Sequence, residues 1–344
     1  MATTFAVPDG RVAMAATTYT GNGSTQSISN AVNTVSFQPD FVWMKGRSGA
    51  TDHALYDSVR GATFDLVSNS TAAETTQTTG LTTFGAAGFT VGALAKVNTS
   101  AATYVGWQWK AGGTAVSNTA GTITSSVSAN TTAGFSVVTY TGTGANATVG
   151  HGLGVAPAFI IFKGRTNVSN WWCYHSGLTS AAYTISLNQT SAQSNSPTSF
   201  QSTAPALTVF SIGTDGGTNS TAIPTVAYCW APIAGYSAFG SYTGNSSLDG
   251  PFIYTGFRPR WLMIKCSSDA ATPWMIWDSS RDTYNPEAAR LVPNLADAEL
   301  SVSVGDFVSN GIKLRVTGTS YNATGSTYIY AAFAENPLKY SNAR

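Results

Sequence analysis

FRPRWLMIK, residues 257–265, is an apolar run entered through Pro259 and closed by Lys265. Nearly the same string occurs twice earlier, as FQPDFVWMK at 37–45 and VAPAFIIFK at 155–163. Each copy holds a proline, one free position, an aromatic residue, three apolar residues and a lysine. In a chain with only 13 Pro and 12% aromatic residues, three such strings mark an internal repeat. Proline has no backbone donor, so Pro39, Pro157 and Pro259 suit the start of a strand. The unbroken apolar run predicts a strand buried on both faces. Lys45, Lys163 and Lys265 then mark its exit from the core, the stem packed and the ammonium in water.

Three further landmarks recur around this strand. Tyr-Thr-Gly begins at Tyr19, Tyr140 and Tyr242, which lie 20, 17 and 17 residues before the proline. A segment closing on serine follows: DHALYDS at 52–58, NWWCYHS at 170–176 and PWMIWDS at 273–279. Last comes an aromatic strand, TYVGWQWK at 103–110, TVAYCWAP at 225–232 and TYIYAAFA at 327–334. The middle copy diverges most, with His175 where the others have Asp57 and Asp278. The spacing predicts an N-terminal arm over 1–11 and repeats over 12–111, 120–232 and 233–344, with a Gly, Ser and Thr linker at 112–119. One extra strand, ITSSVSA, is expected at 123–129.

Runs of four to seven apolar residues, rich in Val, Ile, Tyr and Trp and bounded by Gly, Asn, Ser or Pro, read as strands. The best helix candidate is NPEAARLVPNLADAEL at 285–300, which Pro293 limits to a short turn. The predicted fold is all-β: three tandem antiparallel β-sandwich units, jelly-roll-like, with a small barrel as the alternative.

Charged residues are 10% of the 344, against about 25% in an average domain, and the net charge is +1. No basic face is available for phosphates or an anionic membrane, so neither nucleic acid nor membrane insertion is expected. The amino terminus lacks a basic leader with an apolar run, which predicts synthesis in the cytoplasm. Cys173, Cys229 and Cys266 sit in apolar runs or strand ends and read as buried free thiols.

Catalytic chemistry is hard to assemble from this chain. The histidines are His53, His151 and His175, and HGLG at 151–154 reads as a turn because no nucleophile elbow accompanies it. Asp57 and Asp278, in DSVR and DSSR, belong to different repeats and read as turn-forming residues paired with Arg60 and Arg281. Without a D-x-D-x-D loop or a cofactor motif, no metal, cofactor or enzymatic activity is expected. Aromatic residues are the binding resource. Trp171 and Trp172 are adjacent, so a strand directs them to opposite faces, and they are the candidate residues for stacking on a glycan.

YTGNGSTQSIS, FQPDFVWMK, HALYDSVRG, LVSNSTAAE, GFSVVTYTGTGANATVGHGLGVAP and TYIYAAFAENPLKYSNAR resemble a tandem domain of unknown function found in tail-fibre and other virion proteins of tailed bacteriophages and prophages. The resemblance runs from about residue 12 to 344, and Leu338 stands where the pattern has Phe. It implies an all-β virion protein with a structural or receptor-binding role, and it brings no catalytic residues. The expected function is that of a tail or tail-fibre component on the particle, contributing to attachment to host-surface glycan. Its expected partners are other virion proteins and further copies of itself, with a trimer as the order. A capsid decoration or head-fibre protein and a glycan-cleaving depolymerase are the alternatives.

Overall fold

The computed structural model describes residues 5–334. The closing stretch from Glu335, with Leu338, lies outside the described residues, as do the first four residues of the arm. The fold is all-β, with antiparallel sheets packed face to face, and no helix among the described residues exceeds four residues.

One strand order occurs three times. In the first stretch of chain it is Met14–Thr20, Thr103–Trp109, Phe41–Gly46, Ala54–Asp57. In the last it is Ser237–Thr243, Thr327–Ala334, Pro259–Cys266, Met275–Asp278. In the middle, Phe135–Thr141, Pro224–Trp230, Phe159–Gly164 and Trp172–His175 take the same places within a larger eight-stranded sheet. The Pro-to-Lys strand is third in this order each time, and every one of its residues is buried. One face packs on a thin outer layer; Val42 and Met44, for example, meet Ile28 and Phe89. The other face enters a core shared by all three stretches, where Trp109 lies 5.9 Å from Trp230 and 5.5 Å from Trp261, ring centroid to ring centroid. The stretches are therefore not sandwiches in a row, because each needs the others to cover its inner face.

The Tyr-Thr-Gly landmark is a clamp. The hydroxyls of Tyr19, Tyr140 and Tyr242 donate to the carbonyls of Val97, Thr218 and Tyr321. A Cβ on Gly21, Gly142 or Gly244 would stand 2.2 Å from the carbonyl oxygen of Thr99, Ser220 or Ala323, which is why glycine follows the tyrosine by two. Between these contacts sits a buried asparagine, Asn98, Asn219 or Asn322. Its amide donates to the carbonyl of Gly92, Gly213 or Val316, and its oxygen accepts from the backbone N–H of Asn22, Thr143 or Asn245. Sequence reading missed this residue, although Asn recurs one turn before each final strand.

Four local expectations are revised. The helix candidate at 285–300 is extended: Glu287–Arg290 pairs with Leu300–Val308, and Leu291 bridges Ile276. The cross-strand partners outweigh an intrinsic helix preference of tenths of a kcal/mol per residue. The stretch read as a linker contains the strand Val116–Asn118, paired with Ser125–Asn130, the extra strand expected from ITSSVSA. The described part of the arm packs instead of reaching out: Val7 is buried in the shared core, and the Phe5 ring occupies the space a Cβ on Gly235 would need. Finally, the three lysines do not reach water.

Lys45, Lys163 and Lys265 are fully buried, and each ammonium donates to a carbonyl on a loop from a different stretch. Lys45 Nζ bonds Ala296 O at 3.2 Å, Lys163 Nζ bonds Thr71 O at 3.0 Å and Lys265 Nζ reaches Thr190 O at 3.4 Å. Burial brings their pKa values down to about 8. The same three loops are gripped a second time. Trp171 Nε1 donates to Val67 O and Trp274 Nε1 to Ser186 O, both at 2.9 Å, and His53 Nε2 bonds Val292 O at the same distance. First thus holds last, middle holds first, and last holds middle, a closed cycle of heterologous contacts within one chain. A Lys163→Met variant keeps the stem but removes the ammonium from the Thr71 and Ser169 carbonyls, the first of which retains the Ser169 N–H. It should lose about 1–3 kcal/mol of unfolding free energy in a urea titration, and an unchanged midpoint would show that the latch holds nothing.

Candidate functional site

Asp57, Asp278 and His175 are all spent on this cycle. Asp57 Oδ2 accepts from the Tyr228 hydroxyl of the middle stretch at 2.8 Å and from Arg60 Nε. Arg60 continues to Glu74 at 2.7 Å, and Glu74 to Arg165 of the middle stretch at 2.7 Å. The contact of first with last is built alike: Trp107 Nε1 donates to Asp278 Oδ2 at 2.8 Å, Arg281 pairs with Asp278 and Glu299, and Glu299 with Arg47 at 2.7 Å. Both aspartates are fully buried. Burial raises the pKa of Glu74 and Glu299, but two arginines each outweigh it and leave both below the usual range.

The third contact, last with middle, has no such chain of carboxylates and guanidinium groups. Ala331 stands where Trp107 and Tyr228 stand in the other two final strands, so it has no donor to offer an aspartate. His175 occupies the aspartate position and bonds the backbone Tyr330 O at 3.0 Å. Leu178 replaces the arginine, Gln193 the glutamate and Ser267 the second arginine, while the Gln193 N–H still meets Ser267 O at 2.9 Å, as Glu74 N meets Arg165 O. Asp57, Asp278 and His175 are therefore brought into equivalent places but not to one another, and none opens to solvent.

The two candidate tryptophans are also structural. Trp171 is fully buried, its indole held by the Val67 and Ser70 carbonyls. Trp172 is half-buried, and a Cβ on Gly217 would overlap its ring, so it is packed onto the helical turn Gly216–Asn219. Alternation sends them to opposite faces of the sheet as expected, but both faces are covered, one by the cycle contact and one by the outer layer. HGLG is the turn it was read as, with Gly152 and Gly154 at φ of +72° and the His151 ring bridging Leu153 N and Ala206 O. The three cysteines are buried and unpaired, and burial raises the thiols of Cys173 and Cys229 far above the usual range. Among the described residues no cluster of three metal-ligating side chains occurs, and no helix is long and apolar enough to cross a membrane.

One surface does differ from its counterparts. The outermost strand of the first outer layer presents Ser27 and Ser29 around the buried Ile28, and in the middle the corresponding Thr148 and Gly150 flank Val149 beneath the segment 118–123. In the last, Phe252 and Tyr254 take those positions around Ile253, 46% and 67% exposed. Tyr284, 83% exposed, lines a cleft of about 600 Å³ with Thr283, Asn285, Val308 and Ser309. These three are the exposed aromatic side chains among the described residues. Cross-strand register joins the features: Tyr254 faces Gly311, and Gly311 faces Val308 at the cleft. Arg258 also lines the cleft, and burial pushes the pKa of Glu287 up to about 8.

With this geometry in hand, the chain can be compared with known families. A domain of unknown function (DUF7483) matches residues 12–337. The chain belongs to that family. A search of curated proteins finds no match. The family match treats the three stretches as one domain, in keeping with a core that none of them completes alone.

Two predictions concern the cycle. Arg60→Leu alone strands Asp57 and should cost about 3–5 kcal/mol. Asp57→His/Arg60→Leu/Glu74→Gln/Arg165→Ser takes every carboxylate and guanidinium out of this contact and should cost markedly less; equal or larger losses by the quadruple variant in chemical denaturation would refute the equivalence. The second concerns acid. His53 accepts at Nδ1 from Trp43 Nε1 and His175 at Nδ1 from Gly177 N, so both rings are neutral with the proton on Nε2. Burial lowers their pKa values to about 3 and about 4. The unfolded chain, near 6.5, binds these protons first, so stability present above pH 6.5 is lost as pH falls toward 4. His53→Gln/His175→Gln should show a shallower decline over that interval, and a slope equal to the parent's would assign the loss to other groups.

Proposed function

We propose that the protein is a surface component of a tailed-bacteriophage particle, a tail or tail-fibre protein that contributes to attachment to host-surface glycan. The observation that carries the reading is the confinement of exposed aromatic residues to one outer face, where the equivalent faces carry Ser, Thr and Gly. Solvent-facing aromatics add nothing to the core beneath them and are retained where they contact something. The virion setting is supported by the resemblance of the repeated strings and by a surface kept soluble through hydroxyls and amides. With Asp57, Asp278 and His175 buried in the cycle, the reading is of binding without cleavage.

Other virion proteins and further copies of the chain are its proposed partners, and several copies on one particle supply avidity. A trimer is not needed to reach three-fold packing, since one chain already supplies it. A capsid decoration or head-fibre position is the second reading, favoured by the compact cycle of contacts. Electron microscopy of purified particles labelled with an antibody to this chain tests both. Label at the tail or its fibres is expected. Label across the head would replace attachment by decoration, and unlabelled particles would overturn the virion assignment.

A further inference from the structure

We infer that the last outer face is a saccharide subsite for an uncharged glycan chain, stacked on Phe252 and Tyr254 and continuing into the Tyr284 cleft. This rests on the attachment reading and names its ligand class. The two rings are alternate residues of one strand, so they lie about 7 Å apart on the same side, a separation on the scale of a sugar residue. Phe252 leans over Gly311, the residue directly across from Tyr254, since a Cβ there would meet its ring at 2.9 Å. This aromatic strip ends at Val308, where Thr283 and Ser309 offer hydroxyl groups. Such groups both donate and accept, as sugar hydroxyls do.

The charges beside the strip decide the class. Lys313, directly across from Phe252, is paired with Asp249 at 2.7 Å, and Arg315 with Asp306 at 3.0 Å. Lys313 and Arg315 thus each have their own carboxylate. The strip itself therefore offers no net positive field to draw a uronate, a phosphate or a nucleic acid. An apolar ring face with hydroxyl-matched edges and no net charge fits a neutral pyranose chain.

Calorimetric titration of the intact protein with uncharged gluco-, manno- and N-acetylglucosamine oligomers, and with uronate-containing oligomers, at low and high salt, tests this. An uncharged oligomer should bind with affinity indifferent to salt. Phe252→Ala and Tyr254→Ala should each weaken it by about three- to tenfold, with unchanged thermal unfolding, while Phe252→Tyr keeps a ring and should retain binding. Trp172→Ala, away from this face, should bind as the parent does. Binding confined to uronate oligomers, affinity that collapses with salt, undiminished affinity in a Phe252→Ala/Tyr254→Ala variant, or no saccharide bound would each overturn the inference. Particle labelling and adsorption of the protein to host cells are independent readouts, so the attachment reading can survive the loss of this site.

Discussion

A buried ammonium that no carboxylate neutralises must find carbonyl oxygens, and in this protein a large share of them belong to another part of the chain. Lys45, Lys163 and Lys265 each sit at the end of the most buried strand of their sheet, and each reaches a loop from a neighbouring stretch. Desolvating that charge without acceptors would cost several kcal/mol. The strand can be buried on both faces only if the neighbour's loop is present. The shared aromatic core, the double grip on each loop and the closure of three stretches into a cycle follow from that requirement.

The cycle also accounts for where the few charges are spent. Two of its three contacts run through alternating carboxylates and guanidinium groups, and the third replaces every member by a neutral one, including His175 for the aspartate that Ala331 could not satisfy. The substitutions are coupled because a single missing partner leaves a buried charge exposed to the full desolvation penalty, whereas a fully neutral set does not. The exposed aromatic rings are concentrated on the one outer face that carries Phe252 and Tyr254.

Much of this was legible in the sequence, and the misses share a cause. The Pro-to-Lys strand, the Tyr-Thr-Gly landmark and the Asp-Ser-x-Arg turns are legible because each recurs between copies as a short string of fixed residue types. Asn98, Asn219 and Asn322 escaped notice because a lone Asn near a turn carries no distinctive local signal. Phe252 and Tyr254 escaped because an aromatic triplet reads as core. Laying QSIS, ATVG and the FIY of 252–254 side by side would have exposed them, since only the last alternates aromatic residues toward solvent.

By itself the sequence determined the all-β class, the three-fold recurrence of one strand order and the burial of its central strand, because hydrophobic period and turn chemistry act over a few residues. Tertiary structure decided the direction of every polar side chain at the edge of that strand. Lysines expected in water turned inward, Trp171 became a structural donor in place of a stacking platform, and Asp57 and Asp278 became ion-pair anchors. Each outcome depends on an acceptor or donor lying 50 to 250 residues away in the chain, and only the closed packing of the three stretches brings those atoms within hydrogen-bonding distance.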